Sequence, residues 1–132
     1  MKKVLLDTNA YSTFLAGDEK VLLEIENSDI VYLSVFVIGE LLSGFKGGSK
    51  EQENKNLLNR FLEKSPVEII NATKETSEFF AHIIHQLKKK GSPIPINDVW
   101  IAAHVFESGS TLITYDSHFK KIPGIKFWDD LG

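Results

Sequence analysis

The sequence predicts an α/β protein, a three-layer sandwich whose central, mostly parallel sheet of four to five strands has helices on both faces. Two observations lead to this prediction. Short apolar runs rich in β-branched residues alternate along the chain with longer segments at helical spacing, as in parallel sheets with helical crossovers. One helical segment, residues 98–108, is apolar nearly all round and is therefore expected at the centre of the fold.

A length of 132 residues suits one compact domain, so we expect a single domain over residues 1–132. Four segments have the composition and length of buried strands, and a short fifth strand is expected near the end. These segments are residues 3–6, 29–34, 67–70, 111–114 and 125–128.

Helices are predicted between the strands, each beginning at a polar residue that can accept a hydrogen bond from the first turn. Asp7, Thr8 and Asn9 can all cap the first helix, which runs to residue 17. Ser49 and Gln52 have the spacing of a capping box, which predicts a polar fourth helix to residue 64. The other predicted helices span residues 18–27, 34–45, 73–90 and 98–108, with Asp18, Ser34, Thr73 and Asn97 as caps.

The composition excludes several classes of function. The chain has no cysteine, which excludes a disulfide scaffold, a thiolate metal site and a cysteine nucleophile. The net charge is −3, and Arg60 is the only arginine among 15 basic residues. Tight, non-specific coating of nucleic acid is therefore not expected, although an acidic nuclease site remains compatible with this charge.

Targeting and membrane segments are not expected. The apolar run at residues 4–6, after two lysines, is too short for the core of a signal peptide. No apolar stretch approaches the roughly 20 residues that a membrane-spanning helix needs. We therefore expect a cytoplasmic protein without a membrane partner.

Four acidic residues stand where the predicted fold would gather them. Asp7 and Asp116 follow the first and fourth strands, and Asp98 begins the central helix, so all three are expected at one edge of the sheet. Glu40 shares a helix face with two apolar residues and is expected to point inward. Each residue alone could be a helix cap or a solvated carboxylate. Their coincidence at one edge favours a common site.

Such a cluster requires a counter-charge. Two like charges about 5 Å apart at an effective dielectric constant of about 20 cost roughly 3 kcal/mol. No arginine or lysine adjoins Asp7, Asp98 or Asp116 in the sequence. A hard divalent cation, Mg²⁺ or Mn²⁺, prefers oxygen ligands and can activate a bound water against a phosphate. The chemistry indicated is phosphodiester hydrolysis.

An ordered set of motifs covers essentially the whole chain and resembles the PIN-domain ribonucleases, above all the small VapC-type toxins of toxin–antitoxin pairs. The motifs are Leu5-Leu6-Asp7-Thr8-Asn9, Ser34 through Ile38-Gly39-Glu40-Leu41, Asn97-Asp98 through Ile101-Ala102-Ala103, and Leu112 through Tyr115-Asp116-Ser117-His118-Phe119.

The resemblance implies a PIN-like sandwich and a metal-dependent endoribonuclease. Asp7, Glu40, Asp98 and Asp116 would hold Mg²⁺ or Mn²⁺, and activated water would cut RNA without a protein nucleophile. Asp116 is the least secure ligand, because this position varies among relatives and is sometimes Asn. The resemblance also implies a homodimer and a cognate antitoxin, a segment of which occupies the cleft. The RNA could be tRNA or another structured RNA.

Supporting residues have weaker signals. Thr8, Asn9, Ser34 and Thr114 could orient the ligands or waters, although capping explains Asn9 and Ser34 equally well. Lys46 and Lys50, in a glycine-rich segment beyond Glu40, could contact RNA phosphates, but a solvated loop is the favoured interpretation.

The histidines are not expected to be catalytic. His82 and His85 lie off the apolar stripe of their helix and should face solvent. His104 lies in the apolar helix and should be a packed, hydrogen-bonded core residue. His118 follows Asp116 by two positions and is expected to organise its loop.

Other functions remain open from the sequence alone. A haloacid-dehalogenase-like phosphotransferase needs a second Asp two residues after the first, where this chain has Asn9. A receiver-type phosphoacceptor usually has a lysine after a later strand, where this chain has Asp116. A PIN nuclease of RNA processing, or a PIN-like binding module without activity, would share the same motifs.

Overall fold

A computed structural model describes residues 1–131, except for the side chain of residue 130. The strands are β1 (Lys3–Leu6), β2 (Ile30–Ser34), β3 (Val67–Ile70) and β4 (Thr111–Ile113). The helices are α1 (Thr8–Leu15), α2 (Glu19–Glu26), α3 (Val35–Phe45), α4 (Glu51–Glu63), α5 (Lys74–Lys90) and α6 (Ile96–Ser108). Short 3-10 helices span Ser117–Lys121 and Asp129–Leu131. No helix within this described part is long and apolar enough to cross a bilayer.

The four strands form one parallel sheet in the order β3-β2-β1-β4, which confirms the predicted α/β class. β1 is a central strand, with Leu6 aligned with Leu33 of β2 and with Ile113 of β4. Its residues Val4, Leu5 and Leu6 are fully buried because helices cover both faces of the sheet. The carboxyl ends of β1 and β4 consequently meet at one edge.

Residues 125–128 do not form the predicted fifth strand. Within the described chain, this segment touches β4 at one isolated bridge between Leu112 and Phe127. β4 is only three residues long and offers few partners. Trp128 then turns its ring into the core, where its indole Nε1 donates to the carbonyl oxygen of Thr114 at 2.6 Å. At the opposite edge of the sheet, the described pairing of β3 is with β2 alone, and Ile69 of β3 is 45% exposed.

Helix starts follow the predicted caps at several positions. Asp7, Asp18 and Ser34 accept hydrogen bonds from the first turns of α1, α2 and α3. Thr73 forms a reciprocal capping arrangement with Thr76 at the start of α5. These polar residues satisfy backbone donors that have no partner within the helix.

Two predicted caps are wrong. No capping box forms between Ser49 and Gln52; α4 begins at Glu51, whose carboxylate instead accepts a hydrogen bond from the backbone of Gly47 at 3.0 Å. Asn97 lies inside α6 rather than capping it, since the helix begins at Ile96, directly after Pro95. The fixed φ of Pro95 allows its carbonyl oxygen to accept from the backbone nitrogen of Asp98 at 3.0 Å.

The central position of α6 is confirmed, and so is the core role of His104, which is fully buried. Its Nε2 lies 3.2 Å from the carbonyl oxygen of Asn71 and its Nδ1 lies 2.7 Å from the hydroxyl of Ser34. Burial lowers the pKa of His104, which favours the neutral ring. A carbonyl only accepts, so Nε2 carries the proton and Nδ1 accepts from Ser34. His82 and His85 are exposed, as predicted.

Two tyrosines, Tyr11 in the core and Tyr115 at the surface, differ in whether their hydroxyl has a hydrogen-bond partner. Tyr11 is fully buried, and its hydroxyl has no hydrogen-bond partner in the described structure, whereas the hydroxyl of Tyr115 donates to Asp18 at 2.6 Å. Tyr11→Phe should raise the free energy of unfolding by about 1 kcal/mol, because it removes an unsatisfied polar group. Tyr115→Phe should lower the free energy of unfolding by less than this, because water can replace the lost hydrogen bond to Asp18 at the exposed site. Urea denaturation of both variants measures this, and a loss of stability in Tyr11→Phe would contradict the assignment.

Candidate active site

Asp7 is fixed by the end of the central strand and the start of the first helix. It follows β1 directly, and its Oδ1 accepts a hydrogen bond from the backbone nitrogen of Ala10 at 2.8 Å. Its Oδ2 accepts a short hydrogen bond from the hydroxyl of Thr114, just beyond β4. Only 4% of Asp7 is exposed. Both carboxylate oxygens are therefore oriented before any ligand arrives.

Thr114 also connects Asp7 to the second acidic residue. Its hydroxyl oxygen accepts a hydrogen bond from the backbone nitrogen of Asp116 at 2.9 Å. Asp116 in turn caps the following 3-10 helix, since its Oδ1 accepts from the backbone nitrogen of His118. One threonine thus sets the spacing between two carboxylates that follow neighbouring strands.

His118 joins Asp116 to Asp98, which lies in the first turn of α6. The ring Nε2 is 2.6 Å from Oδ2 of Asp98, and the ring Nδ1 is 2.6 Å from Oδ1 of Asp116. One ligand atom from each of these three residues lies within 4.8 Å of the others. The sequence offered no lysine or arginine next to the acidic residues, but the fold brings a histidine between two of them.

The role of His118 was therefore underestimated by sequence reasoning, which assigned it to the organisation of a loop. The signal was its position two residues after Asp116. On a 3-10 turn, this spacing lets the ring fold back over the capping carboxylate. The contact with Asp98 depends on the packing of α6 against the sheet edge and could not be derived from local spacing.

Glu40 does not point into the protein interior as predicted, because it is an exposed residue of α3. Its Oε1 accepts a short hydrogen bond from the hydroxyl of Thr8. Gly39 and Gly44, on the same side of the helix, offer no side chain to cover the carboxylate. Glu40 is nevertheless close enough to Asp98 for its charge to raise the pKa of that residue. Glu40 therefore lies at the solvent-exposed side of the site, whereas Asp7 lies at its buried side.

The remaining candidates divide into two groups. Thr8 and Thr114 contact candidate carboxylates directly, as described above. Ser34 does not: it is fully buried and is hydrogen-bonded to His104 and to the backbone of Phe36. Asn9 is exposed, and the described residues show no hydrogen bond between it and the carboxylates.

Lys46 and Lys50 are exposed beyond the end of α3. The Nζ of Lys46 lies 3.8 Å from a carboxylate oxygen of Glu51, which is a loose surface ion pair. Both amines are therefore accessible to an anionic ligand.

Burial and the charges of neighbouring carboxylates make Asp7 and Asp98 reluctant to ionise. Burial is the largest cause that raises the pKa of Asp7 to about 6, and the charges of Asp98 and Asp116 raise it further. Burial also raises the pKa of Asp98, while the hydrogen bond from His118 opposes this shift. The chemistry of this donor set, carboxylate oxygens held close together and poorly solvated, fits a hard divalent cation that would compensate their charge.

The raised pKa of Asp7 has a consequence for stability that can be measured without metal. Its unfolded-state pKa is 3.8 and its folded-state pKa about 6, so the folded protein favours the protonated form. The cost of ionising Asp7 is absent below pH 4, grows between pH 4 and 6, and reaches about 3 kcal/mol above pH 6.

In EDTA, Asp7→Asn should therefore be more stable than the wild type at pH 7.5, by up to this amount, and should lose that advantage at pH 4. Urea denaturation at the two pH values gives the comparison. An Asp7→Asn protein that is less stable at pH 7.5 would show that the carboxylate is needed for the fold.

Comparisons with known proteins identify the family of this chain. The profile of the PIN domain family matches residues 4–125. The chain is 30% identical over 105 residues to a protein of Rickettsia felis named Ribonuclease VapC2, covering 77% of each chain. It is 25% identical over 131 residues to Ribonuclease VapC1 of Haemophilus influenzae, covering 96% of each chain.

A solved structure, that of VapBC2 from Rickettsia felis bound to a DNA fragment from its promoter, contains a chain with the same architecture. The TM-score is 0.82 and the sequence identity 28%, with 96% of this chain and 97% of that chain covered. The parallel sheet, the acidic edge at the ends of β1 and β4, and the near-complete profile match lead to one assignment: the chain belongs to the PIN domain family.

Proposed function

We propose that this protein is a metal-dependent endoribonuclease, the toxin of a toxin–antitoxin pair, which hydrolyses RNA phosphodiester bonds. The observation that carries the proposal is the buried Asp7, oriented on both oxygens and electrostatically opposed by Asp98 and Asp116. A divalent cation bound between these carboxylates would stabilise the fold, because it would offset their mutual repulsion and their poor solvation. The names of the relatives, Ribonuclease VapC2 and Ribonuclease VapC1, support the same activity.

Mg²⁺ or Mn²⁺ would be held by Asp7, Asp98 and Asp116, with Glu40 completing the ligand set from α3. When bound, such a cation lowers the pKa of a coordinated water and neutralises charge that develops on the phosphate. The protein's own contribution is orientation. Thr114 holds Asp7 in one rotamer, and Thr8 holds Glu40 at the wall of the site, so the ligands lose little freedom on binding.

RNA would reach the site with little help from overall charge, since the chain carries a net charge of −3. Lys46 and Lys50 are the candidates for phosphate contacts. Selection of a tRNA or another structured RNA would then depend on RNA shape and on the geometry of the active site rather than on a broad basic face. The protein would act in the cytoplasm.

A cognate antitoxin and a homodimer complete the proposal. The solved relative is described as a VapBC complex with promoter DNA, which supports an antitoxin partner for this chain. Exposed leucines on the first two helices offer apolar surface for such a partner; they are Leu15, Leu22 and Leu23.

The role of His118 can be tested through stability and metal binding. In EDTA, His118→Ala should lower the free energy of unfolding by about 1–2 kcal/mol, because Asp98 and Asp116 lose the hydrogen bonds that offset their repulsion. Millimolar Mg²⁺ should narrow this difference in stability by binding the two carboxylates that have lost their hydrogen-bond partner. The exposed His85→Ala is the matched control and should match the wild type in both conditions. Equal stability of His118→Ala and wild type in EDTA would contradict the role.

Cleavage of total RNA and of purified tRNA by the antitoxin-free protein tests the proposed activity. Discrete fragments should appear in Mg²⁺ or Mn²⁺, disappear in EDTA, and disappear with an identically prepared Asp98→Asn protein, which controls for contaminating nucleases. Asp116→Asn should retain measurable activity. A folded wild-type protein that cuts none of these RNAs in either metal would overturn the proposal in favour of a binding module.

A further inference from the structure

A shallow, solvent-open cleft of about 570 Å³ adjoins the acidic cluster, between α3 and the first turn of α6. Glu40 connects the two, since it lines the cleft and its charge also raises the pKa of Asp98. The cleft is therefore the space that a polymer would enter next if one of its phosphates lay at the carboxylates.

The side of α3 that lines this cleft carries two glycines, Gly39 and Gly44, that the packing of the fold does not require. Gly39 and Gly44 lie within the helix with ordinary negative φ. A Cβ placed on either would meet no atom within 4 Å. Each glycine costs the helix up to about 1 kcal/mol relative to alanine. Neither backbone geometry nor packing requires glycine at these two positions. A ligand that lies close against the helix backbone would require it, because any larger side chain would occupy the same space.

An unsatisfied donor lies at the opposite wall. The side-chain nitrogen of Asn97 is shielded from solvent and has no hydrogen-bond partner in the described structure. Asn97 also lines the cleft. A buried donor without a partner costs about 1–3 kcal/mol, and this cost is relieved if the amide turns to meet an acceptor in the cleft.

An aromatic side chain completes the walls. Phe36 lines the cleft and stacks on Trp100, with ring centroids 5.2 Å apart and an interplanar angle of 22°. Trp100 stacks in turn on Phe80 at 3.8 Å, so the position of Phe36 is braced from behind. A rigid aromatic wall, a bare helix backbone and an amide donor together match a flat heteroaromatic ring with acceptor atoms.

We propose that this cleft is the subsite for one unpaired nucleotide of the RNA, next to the bond that is cut. Its base lies against Gly39 and Phe36, and Asn97 donates a hydrogen bond to it. The base must be unpaired, because the faces and the pairing edge of a base within a helix are already occupied by neighbouring bases. This inference rests on the proposed ribonuclease function, but RNA binding can be tested separately from cleavage.

Filling the cleft should exclude the base. Gly39→Leu places a side chain in open space and replaces a poor helix former, so the fold and Mn²⁺ affinity should be retained. Its affinity for a fluorescent single-stranded RNA of mixed sequence, measured by anisotropy, should fall at least tenfold. The control Leu42→Phe adds bulk at an exposed position of the same helix outside the cleft and should change this affinity less than twofold.

Asn97→Ala tests the hydrogen bond, and its RNA affinity should fall about fivefold, the equivalent of about 1 kcal/mol. In the wild type, the side-chain amide resonances of Asn97 should shift when the same RNA is added. Unchanged resonances, or wild-type RNA affinity in Gly39→Leu, would overturn the subsite. It would also be overturned if Gly39→Leu lost only self-association or antitoxin binding, since the cleft would then be a protein interface.

The two levels of the proposal fail differently. A wild-type protein that binds RNA through Asn97 but never cuts it would contradict the proposed ribonuclease activity and support the nucleotide subsite. Equal cleavage rates of the wild type and Gly39→Leu would support the ribonuclease activity and contradict the nucleotide subsite. A protein that neither binds nor cuts RNA would remove both.

Discussion

The architecture of the site depends on the hydrogen bonds that hold the Asp7 carboxylate between β4 and α1. A buried carboxylate is costly unless its oxygens have partners, and here one oxygen takes a backbone donor of α1 while the other takes the hydroxyl of Thr114. Thr114 can make this bond only because β1 and β4 are parallel neighbours in register. Sheet pairing therefore sets the distance between the first helix and the Asp116 loop, and everything else at this edge is built around that distance.

Much of the fold could be predicted from the sequence because its strongest signals are local. Apolar runs of strand length, the caps at Asp18 and Thr73, and the apolar character of α6 each depend on residues near one another in the chain. The parallel topology then follows from the alternation of strands and helices, and it brings Asp7 and Asp116 to one edge without further information. The short segment at Phe127 was the exception, since a single bridge is decided by the available length of β4.

The details of the site depend on contacts between distant residues, and sequence reasoning was weaker there. From its sequence context, Ser34 could equally be a helix cap or a polar residue of the site. Its hydroxyl lies in the core because His104, on α6, packs next to it and forms a hydrogen bond with it. The burial of Glu40 was wrongly predicted, because helix periodicity shows which residues share a helix face but not whether another element packs against that face. His118 was underestimated because its second partner, Asp98, is 20 residues away. Each of these outcomes requires knowledge of which helix packs against which strand.

The two edges of the sheet differ in a way that limits how copies of this chain could associate. The backbone of Leu112 in β4 is already engaged by Lys126 and Trp128, whereas the described outer edge of β3 is unpaired and exposes Ile69. Open edges allow strands of other molecules to add. With β4 closed, any pairing of sheets would have to join β3 to β3 about a two-fold axis, and such a contact uses up the open edge of both molecules. Continuous growth of one sheet across many copies is thereby blocked at its second step.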